Sequence, residues 1–242
     1  MLLVGNDIVD LSVAGVSGKS RDVRFVNRVF TEQEKSAIGE HSDPDTILWM
    51  LWAAKEAAYK VVSKHDSPPV FSHKRFRTEL KTITCRDRGC FQAKLRVDYG
   101  SHHVEVEMFG NPERLHCVGA PASQDEEPDC ELFSDSTRWA PDESGPRECG
   151  GDHGPDFTAL ERESIHHEAS ALVRRQAKHD IGAKLGLDPA RLQIVRPVKD
   201  NKMLPPYLLI DGNRTSIDIS LSHHGKWVGW ACTIPKGKTV LL

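Results

Sequence analysis

Two kinds of hydrophobic pattern follow each other along the first half of the chain. Leu2 to Leu11 is a short apolar run interrupted by two aspartates, which predicts a strand whose polar residues have a purpose. The capping-box spacing of Thr31 to Glu34 and the Asp43-Pro44 pair then predict two helices, the second reaching about Lys64. Segments of alternating polarity follow between Phe71 and Gly119, and they predict antiparallel strands.

The second half repeats this order of helix and sheet. A capping box at Thr158 to Glu161 opens a long helical pattern that ends near Gly186. Four short segments with strand patterns follow, at residues 192–196, 207–210, 216–220 and 227–234. The pattern therefore predicts an α+β protein whose two segments could be two versions of one unit.

The segment between the halves differs from both. Residues 121–156 are rich in proline, glycine, serine and acid and show no sustained periodicity, which is typical of a flexible linker. We therefore divide the chain into residues 1–120, the linker, and residues 157–242. The linker carries eleven acidic side chains and two arginines, whereas the rest carries 30 basic and 24 acidic side chains. This basic remainder suits an anionic small ligand or an acidic protein partner better than extended nucleic acid.

The composition narrows the class of protein. Hydrophobic residues make up 38% and charged residues 28% of the chain, as in ordinary soluble globular proteins. No run approaches the roughly 18 to 20 apolar residues of a membrane span, and the first residues lack a basic n-region. We expect a cytoplasmic protein that does not bind a membrane. Its six scattered cysteines argue against a disulfide framework.

A Trp-x-x-Lys-Glu-x-x-x-Lys sequence lies in the second predicted helix. Because they are spaced by four, Trp52, Glu56 and Lys60 project from one stripe of that helix. In an arbitrary helix, such a Glu-Lys pair is a surface pair that contributes a few tenths of a kcal/mol. Whether it belongs to a functional site depends on the elements around it.

An acid inside the first predicted strand supplies part of that context. Burying Asp7 without a partner would be costly, so its carboxylate is either hydrogen-bonded within the protein or faces a cleft and binds a metal ion. Asp10 lies on the opposite face of the same strand. We expect a structural role for Asp10.

A third group of polar residues lies where a late strand enters a turn. Ser222, His223 and Lys226 are expected to cluster there, next to Gly225. Hydroxyl, imidazole and ammonium groups beside such a turn can hold a phosphate, although a lone Ser-His pair is more often a feature of the turn itself.

Together these elements resemble the signatures of the 4′-phosphopantetheinyl transferase superfamily. Gly5 to Ile8 matches its Gly-x-Asp-Ile motif, Trp52 to Lys60 its Trp/Phe-x-x-Lys-Glu-x-x-x-Lys motif, and Ile219 to His223 its Ser-His element. The resemblance implies two similar α+β halves related by pseudo-twofold symmetry, with the active site and coenzyme A at their interface. The metal-binding half comes first, as in the small holo-acyl-carrier-protein synthases. Since both halves lie in one chain, we expect a monomer.

The resemblance implies an enzyme that moves 4′-phosphopantetheine from coenzyme A to a serine of an apo acyl or peptidyl carrier protein, releasing adenosine 3′,5′-bisphosphate. It makes Asp7 and Glu56 the Mg²⁺ ligands, with the coenzyme diphosphate and water completing the oxygen shell. Lys60 would contact the diphosphate and stabilise charge as the phosphoanhydride breaks. Glu56 is also a candidate for the base that deprotonates the serine.

The same resemblance assigns residues to coenzyme A. Ser222 and His223 would hold the nucleotide phosphates, helped by Arg174 in a basic helix. Lys55 would add a weaker electrostatic contribution, and Lys202 stands near the position of the family's Gly-Lys-Pro turn beside the adenine.

Two other functions remain open from the sequence. A non-catalytic relative would bind coenzyme A as an interaction module and would need none of Asp7, Glu56 and Lys60. A metal-dependent phosphohydrolase would use the same carboxylates on another anionic substrate, without a carrier protein. The carrier protein itself could serve fatty-acid, polyketide or nonribosomal peptide synthesis.

Overall fold

The computed structural model of the chain describes residues 2–65, 72–122, 129–139, 156–199 and 202–237. The described residues fall into two units, one within residues 5–125 and the other within residues 1–4 and 126–242. None of the helices in these ranges is both long enough and apolar enough to cross a membrane.

The first unit is a five-stranded antiparallel sheet with helices packed against it. Its elements are β1 (Gly5–Asp10), α1 (Val23–Val29), α2 (Glu32–Glu40), α3 (Pro44–Val62), β2 (Arg77–Cys85), β3 (Phe91–Tyr99), β4 (His102–Gly110) and β5 (Arg114–Pro121). The strand order across the sheet is β1-β5-β4-β3-β2, and each neighbouring pair is antiparallel. Helix α3 lies along β1 and β5, so the fold brings the first two sequence motifs together.

The predicted helix starts of this unit are confirmed. Thr31 Oγ1 accepts a hydrogen bond from the Glu34 amide at 3.4 Å, and Glu34 Oε2 accepts one from the Thr31 amide at 2.8 Å. Asp43 caps α3 by accepting from the Thr46 amide at 3.1 Å, and Pro44 is the first helical residue. These capping side chains accept hydrogen bonds from amide groups that the first turn of a helix leaves unpaired. Because only a few residue types can do this, the two helix starts are recognisable in the sequence.

The second unit contains another five-stranded antiparallel sheet. Its elements are β6 (Cys130–Arg138), α4 (Ala159–Arg162), α5 (Glu168–Leu185), β7 (Leu192–Val195), β8 (Val198–Lys199), β9 (Lys202–Met203), β10 (Tyr207–Ile210), β11 (Asn213–His224) and β12 (Trp227–Pro235). The strand order is β6-β12-β11-β10-β7, while β8 and β9 pair separately. In both units the strand before the helices lies at a sheet edge beside the last strand. The predicted α+β class is therefore confirmed.

Helix α5 supplies one side of the core of the second unit. Val173, Ala177 and Ile181 recur at helical spacing and are buried in one cluster with Ile217 and Ile219 of β11. Burying a valine or isoleucine side chain contributes roughly 1.5 to 3 kcal/mol, so this stripe holds α5 on the sheet.

Each unit uses the buried acid of its capping box to join three elements. Glu34 Oε1 accepts from Lys55 Nζ and from a backbone amide of β2, both at 2.7 Å. Glu161 Oε1 accepts from Lys178 Nζ at 3.3 Å and from a backbone amide of β7 at 2.9 Å. The same Glu-Lys-strand connection therefore occurs once in each unit.

The first predicted strand is shorter than the sequence suggested. Strand β1 begins at Gly5, whereas the residues before it belong to the second unit. The amide of Val4 donates to Asp218 Oδ2, and Thr233 Oγ1 donates to the carbonyl oxygen of Leu2, both at 2.6 Å. Apolarity alone did not show that this run is divided between the two units.

The assignment of all of residues 121–156 to a linker is wrong. Strand β6 lies within that segment and pairs with β12 from Cys130, opposite Pro235, to Arg138, opposite Trp227. No residue of β6 is buried, so this edge strand shows no hydrophobic alternation that would reveal it. The remainder of the predicted linker, at 123–128 and 140–155, lies outside the described residues.

The long helix predicted after Thr158 is in fact two helices. Helix α4 ends at Arg162, and His167 then caps α5, with its Nδ1 accepting from the Ser170 amide at 3.2 Å. The predicted end near Gly186 is confirmed, because Gly186 adopts a left-handed conformation with φ 66°.

Candidate active site

Strand β1 presents Asp7 to helix α3. Asp7 pairs in register with Cys117 of β5, and the Cys117 thiol donates to the carbonyl oxygen of Ala53 in α3 at 3.2 Å. Because residues directly opposite each other on paired strands share a face, Asp7 lies on the face that α3 covers. The carboxylate therefore faces the second motif.

Lys60 connects the two motifs directly. Its Nζ donates to the carbonyl oxygen of Asn6 at 2.6 Å and to Asp7 Oδ1 at 3.1 Å. The side chains of Lys60 and Asp7 are 28% and 16% exposed, so solvent and small ligands can reach the pair. Lys60 continues the α3 stripe of Trp52 and Glu56, as their spacing predicts.

The Glu56 carboxyl is held in an environment that disfavours its charge. Burial raises the pKa of Glu56 from 4.5 to about 7, the negative charge of Asp7 adds to this shift, and the ammonium of Lys60 opposes it. A bound cation would offset the repulsion between these two partly buried carboxylates.

Asp7 and Glu56 have the chemistry that Mg²⁺ requires from a protein. Mg²⁺ is commonly bound by one or two carboxylates, with substrate phosphate and water supplying its other oxygens. Among the residues that the structure describes, no group of three or more His, Cys, Asp or Glu side chains is placed to hold a metal ion. The pair alone therefore does not form a complete protein cage for a metal ion.

His73 lies beside this stripe, although the sequence analysis did not select it. Its ring stacks on Trp52 with centroids 4.3 Å apart and planes at 29°, and its Nε2 lies 3.5 Å from Glu56 Oε1. Burial lowers the pKa of His73, and the positive charges of Lys55 and Arg28 lower it further. His73 belongs to a short 3-10 turn, and no spacing rule relates such a turn to a helix earlier in the chain.

The structural role predicted for Asp10 is supported. Asp10 is 1% exposed, and its Oδ1 accepts from the amide and the hydroxyl of Ser12 at 2.9 and 2.6 Å. Its carboxylate therefore closes the turn after β1.

The segment that carries Asp7, Glu56 and Lys60 matches a known protein family. Residues 3–115 match the family model of the 4′-phosphopantetheinyl transferase superfamily. This segment is therefore similar to that superfamily over the residues that carry the first two motifs. The matched segment covers just under half of the chain, and Ser222 and His223 lie outside it. No curated protein matches the chain.

Within the superfamily motif, Lys55 has a different role from the one predicted. Its side chain is fully buried, and its ammonium donates to Glu34 at 2.7 Å and to the carbonyl oxygens of His73 and Phe76. Burial lowers the pKa of Lys55, and the charge and hydrogen bond of Glu34 oppose this shift. The three acceptors use all three N–H groups of the ammonium. Lys55 therefore holds the fold together, and its ammonium has no N–H group left to donate to coenzyme A.

The prediction for Arg174 needs the same correction. This residue is 2% exposed, with NH1 bonded to the carbonyl and hydroxyl oxygens of Ser170 at 2.9 and 2.5 Å. NH2 donates to the hydroxyl of Ser164 at 2.9 Å, and Nε to the carbonyl of Ile194 at 3.3 Å. Burial lowers the pKa of Arg174 to about 10, and the charge of Arg196 contributes. The guanidinium is thus buried, and its N–H groups are hydrogen-bonded within the protein.

Ser222 and His223 point to opposite sides of β11, as neighbouring strand residues do. Ser222 is buried and donates to the carbonyl of Gly229 at 3.3 Å, whereas His223 is exposed, with its ring 4.5 Å from that of His167. The expected Ser-His cluster does not form, and only His223 is accessible from solvent. Lys202 lies in β9, and its side chain is outside the described part of the structure.

A cavity of about 530 Å³ lies elsewhere in the first unit, at the N-terminal end of α3. Trp49, Met50 and Phe91 contribute to its lining, and none of the predicted site residues does. Asp45, on its rim, accepts from the amides of Gly18 and Ser20 at 2.5 and 2.8 Å. The cavity is therefore separate from the Asp7–Glu56 pair, and its rim acid is occupied within the protein.

Proposed function

We propose that this protein transfers the 4′-phosphopantetheine group of coenzyme A to a serine of an apo acyl or peptidyl carrier protein, with Mg²⁺ as cofactor. The superfamily match supports phosphopantetheinyl transfer in general. The observation that carries the specific proposal is the hydrogen bond from Lys60 to Asp7, which brings the first motif to the helix stripe that also carries Glu56. Such a group of charges suits a divalent cation and a diphosphate bound together.

The proposed reaction exchanges one phosphorus–oxygen bond for another. The serine oxygen of the carrier protein attacks the β-phosphorus of coenzyme A, and the bond from this phosphorus to the bridging oxygen breaks. Adenosine 3′,5′-bisphosphate leaves with the bonding electrons. The proton of the serine hydroxyl passes to a base, for which Glu56 is the candidate.

Each residue of the first unit has a definite part in this proposal. Asp7 and Glu56 would hold Mg²⁺, which when bound offsets the negative charge of the diphosphate. Lys60 is held beside Asp7 by two hydrogen bonds, so its ammonium is already in place to stabilise charge on the breaking phosphoanhydride. A preorganised charge of this kind costs no rearrangement during the reaction.

The residues proposed for the nucleotide phosphates lie in the second unit. We assign His223 to them because it is exposed, whereas the buried hydroxyl of Ser222 would require a rearrangement. The carrier protein is proposed from the superfamily, and the excess of basic side chains outside residues 121–156 suits an acidic partner.

Intact mass spectrometry of apo carrier proteins tests the proposal. Carrier proteins from fatty-acid, polyketide and nonribosomal peptide synthesis are each incubated with the protein, coenzyme A and Mg²⁺. We expect at least one carrier to gain the mass of one phosphopantetheine and to lose this gain when a chelator is present. Failure on every carrier, with coenzyme A still bound, would instead support a non-catalytic coenzyme A-binding protein.

Two variants separate loss of chemistry from loss of folding. Glu56→Gln should abolish the mass gain while the circular dichroism spectrum is unchanged. Glu107→Gln is the matched control, because Glu107 is an exposed acid 3.6 Å from Lys94 on a solvent-facing part of the same unit. It should keep full activity. Release of free product without a carrier protein would indicate a phosphohydrolase.

A further inference from the structure

A stack of three rings lies beside Glu56. The ring of Phe25, on α1, stacks on Trp52 with centroids 5.4 Å apart and planes at 28°. Trp52 in turn stacks on His73 at 4.3 Å and 29°. Stacked rings of this kind contribute roughly 0.5 to 1.5 kcal/mol per pair beyond their buried area, so the stack restricts the plane of the imidazole.

The main chain of His73 is fixed as well. Its carbonyl oxygen accepts from Lys55 Nζ at 3.1 Å and from the amide of Phe76 at 3.1 Å. Since Lys55 is anchored to Glu34, the position of His73 is determined by the buried interior of the unit. The imidazole therefore has both its backbone and its ring plane set before any ligand binds.

With the ring held in this way, one nitrogen lies close to the second motif. His73 Nε2 lies 3.5 Å from Glu56 Oε1, a separation that a small side-chain movement closes to a hydrogen bond. The two side chains are only 23% and 22% exposed, so water competes weakly for this contact.

We infer that His73 is a positioning residue that holds Glu56 through Oε1 and so leaves the other carboxylate oxygen available to a metal ion. The inference rests on the proposed function of the Asp7–Glu56 pair. Outer-shell partners of this kind fix the orientation of a ligand carboxylate, and their loss typically lowers metal affinity or activity by about 10- to 100-fold. This role requires no contact of His73 with the metal or the substrate.

Two substitutions separate hydrogen bonding from stacking. His73→Phe keeps a ring that can stack on Trp52 but removes the N–H donor. His73→Gln loses the ring but keeps a side-chain donor. The probe is Mn²⁺, whose binding to the full chain with coenzyme A is followed by electron paramagnetic resonance. We expect His73→Phe to weaken Mn²⁺ binding by about 10- to 100-fold, and His73→Gln to restore part of the affinity.

Activity and stability measurements complete the test. In His73→Phe, the Mg²⁺ concentration that gives half-maximal transfer should rise, while the melting temperature should stay close to that of the wild type because the stack is kept. His179→Phe is the control, because the His179 side chain is 72% exposed on α5. It should change neither quantity.

The outcomes distinguish this inference from the proposed function. If the wild type binds Mn²⁺ and transfers phosphopantetheine, and both His73 variants bind Mn²⁺ equally well, the positioning role is wrong and the proposed function stands. If the wild type neither binds Mn²⁺ nor modifies any carrier, the proposed function fails and the inference fails with it. If His73→Phe does not fold, His73→Ala decides, because it removes the donor without adding a bulky ring: unchanged Mn²⁺ affinity in that variant would overturn the positioning role.

Discussion

A Cβ atom at Gly5 would lie 2.0 Å from the carbonyl oxygen of Ala57. This distance is far inside van der Waals contact, and the obstacle is the backbone of α3, which cannot rotate away as a side chain can. The glycine of the first motif is therefore required by the close approach of β1 to α3. Asp7 follows Gly5 on that strand, and Glu56 precedes Ala57 on that helix, so this contact sets the distance between the two acids.

Gly5→Ala should separate β1 from α3 and impair the site. We expect overpacking to lower the free energy of unfolding by about 1 to 3 kcal/mol. The loss in the free energy of Mn²⁺ binding should be larger than this loss of stability. Gly39→Ala is the control, because a Cβ at Gly39 meets nothing within 4 Å and alanine favours the helix. Thermal unfolding and Mn²⁺ titration of both variants measure the effects. Normal metal binding by Gly5→Ala would show that the strand–helix distance is not critical.

Glu56→Gln should stabilise the metal-free protein at neutral pH while removing activity. Because the folded-state pKa of Glu56 is raised from 4.5 to about 7, the folded state binds its proton more tightly than the unfolded state. The stabilisation of the folded state by this protonated carboxyl is fully present below pH 4.5 and is lost as the pH rises through 7. Between pH 4.5 and pH 8 the free energy of unfolding of the wild type should therefore fall by up to about 3 kcal/mol relative to that of the variant.

Urea unfolding of both proteins between pH 4.5 and 8, in chelator, measures this difference in the free energy of unfolding. Added Mg²⁺ with coenzyme A should raise the melting temperature of the wild type only. Parallel pH profiles for the two proteins would contradict the assigned environment of Glu56.

Lys55→Met should destabilise the protein by about 3 to 5 kcal/mol, because it leaves the buried carboxylate of Glu34 without its counterion. Lys35→Met is the control, since Lys35 pairs with an exposed Glu32 and such pairs contribute about 0 to 1 kcal/mol. Chemical denaturation gives both values. At a temperature where Lys55→Met is folded, its affinity for coenzyme A should equal that of the wild type, whereas a specific loss of affinity would restore the coenzyme role.

Arg174→Lys should cost about 2 to 4 kcal/mol even though the charge is retained. An ammonium cannot reach the separate oxygens of Ser164, Ser170 and Ile194 that the guanidinium bonds, so buried acceptors lose their donors. The neighbouring Arg175→Lys is a matched control, because Arg175 pairs with Asp156 at the exposed surface. Its melting temperature should stay near that of the wild type, and equal melting temperatures for both variants would refute the buried role of Arg174.

Local signals in the sequence determined the elements that carry the site. The caps at Thr31 and Asp43 fixed two helix starts, and four-residue spacing placed Glu56 and Lys60 on one stripe. The alternation of side chains along a strand also places Ser222 and His223 on opposite faces. The predicted cluster of these residues did not take this alternation into account. These features depend on backbone geometry within a few residues, so a single sequence contains them.

Only the tertiary structure decided which charged side chains are enclosed. Lys55 and Glu56 are neighbours on one helix, yet α2 and the turn at His73 cover the first and leave the second partly exposed. The sequence likewise did not show that Arg174 is buried. Helix periodicity fixes the direction in which a side chain points. The elements that pack over that side chain come from distant parts of the chain. This packing determines how far the side chain is hydrated, which charge state it prefers and which chemical role it can have.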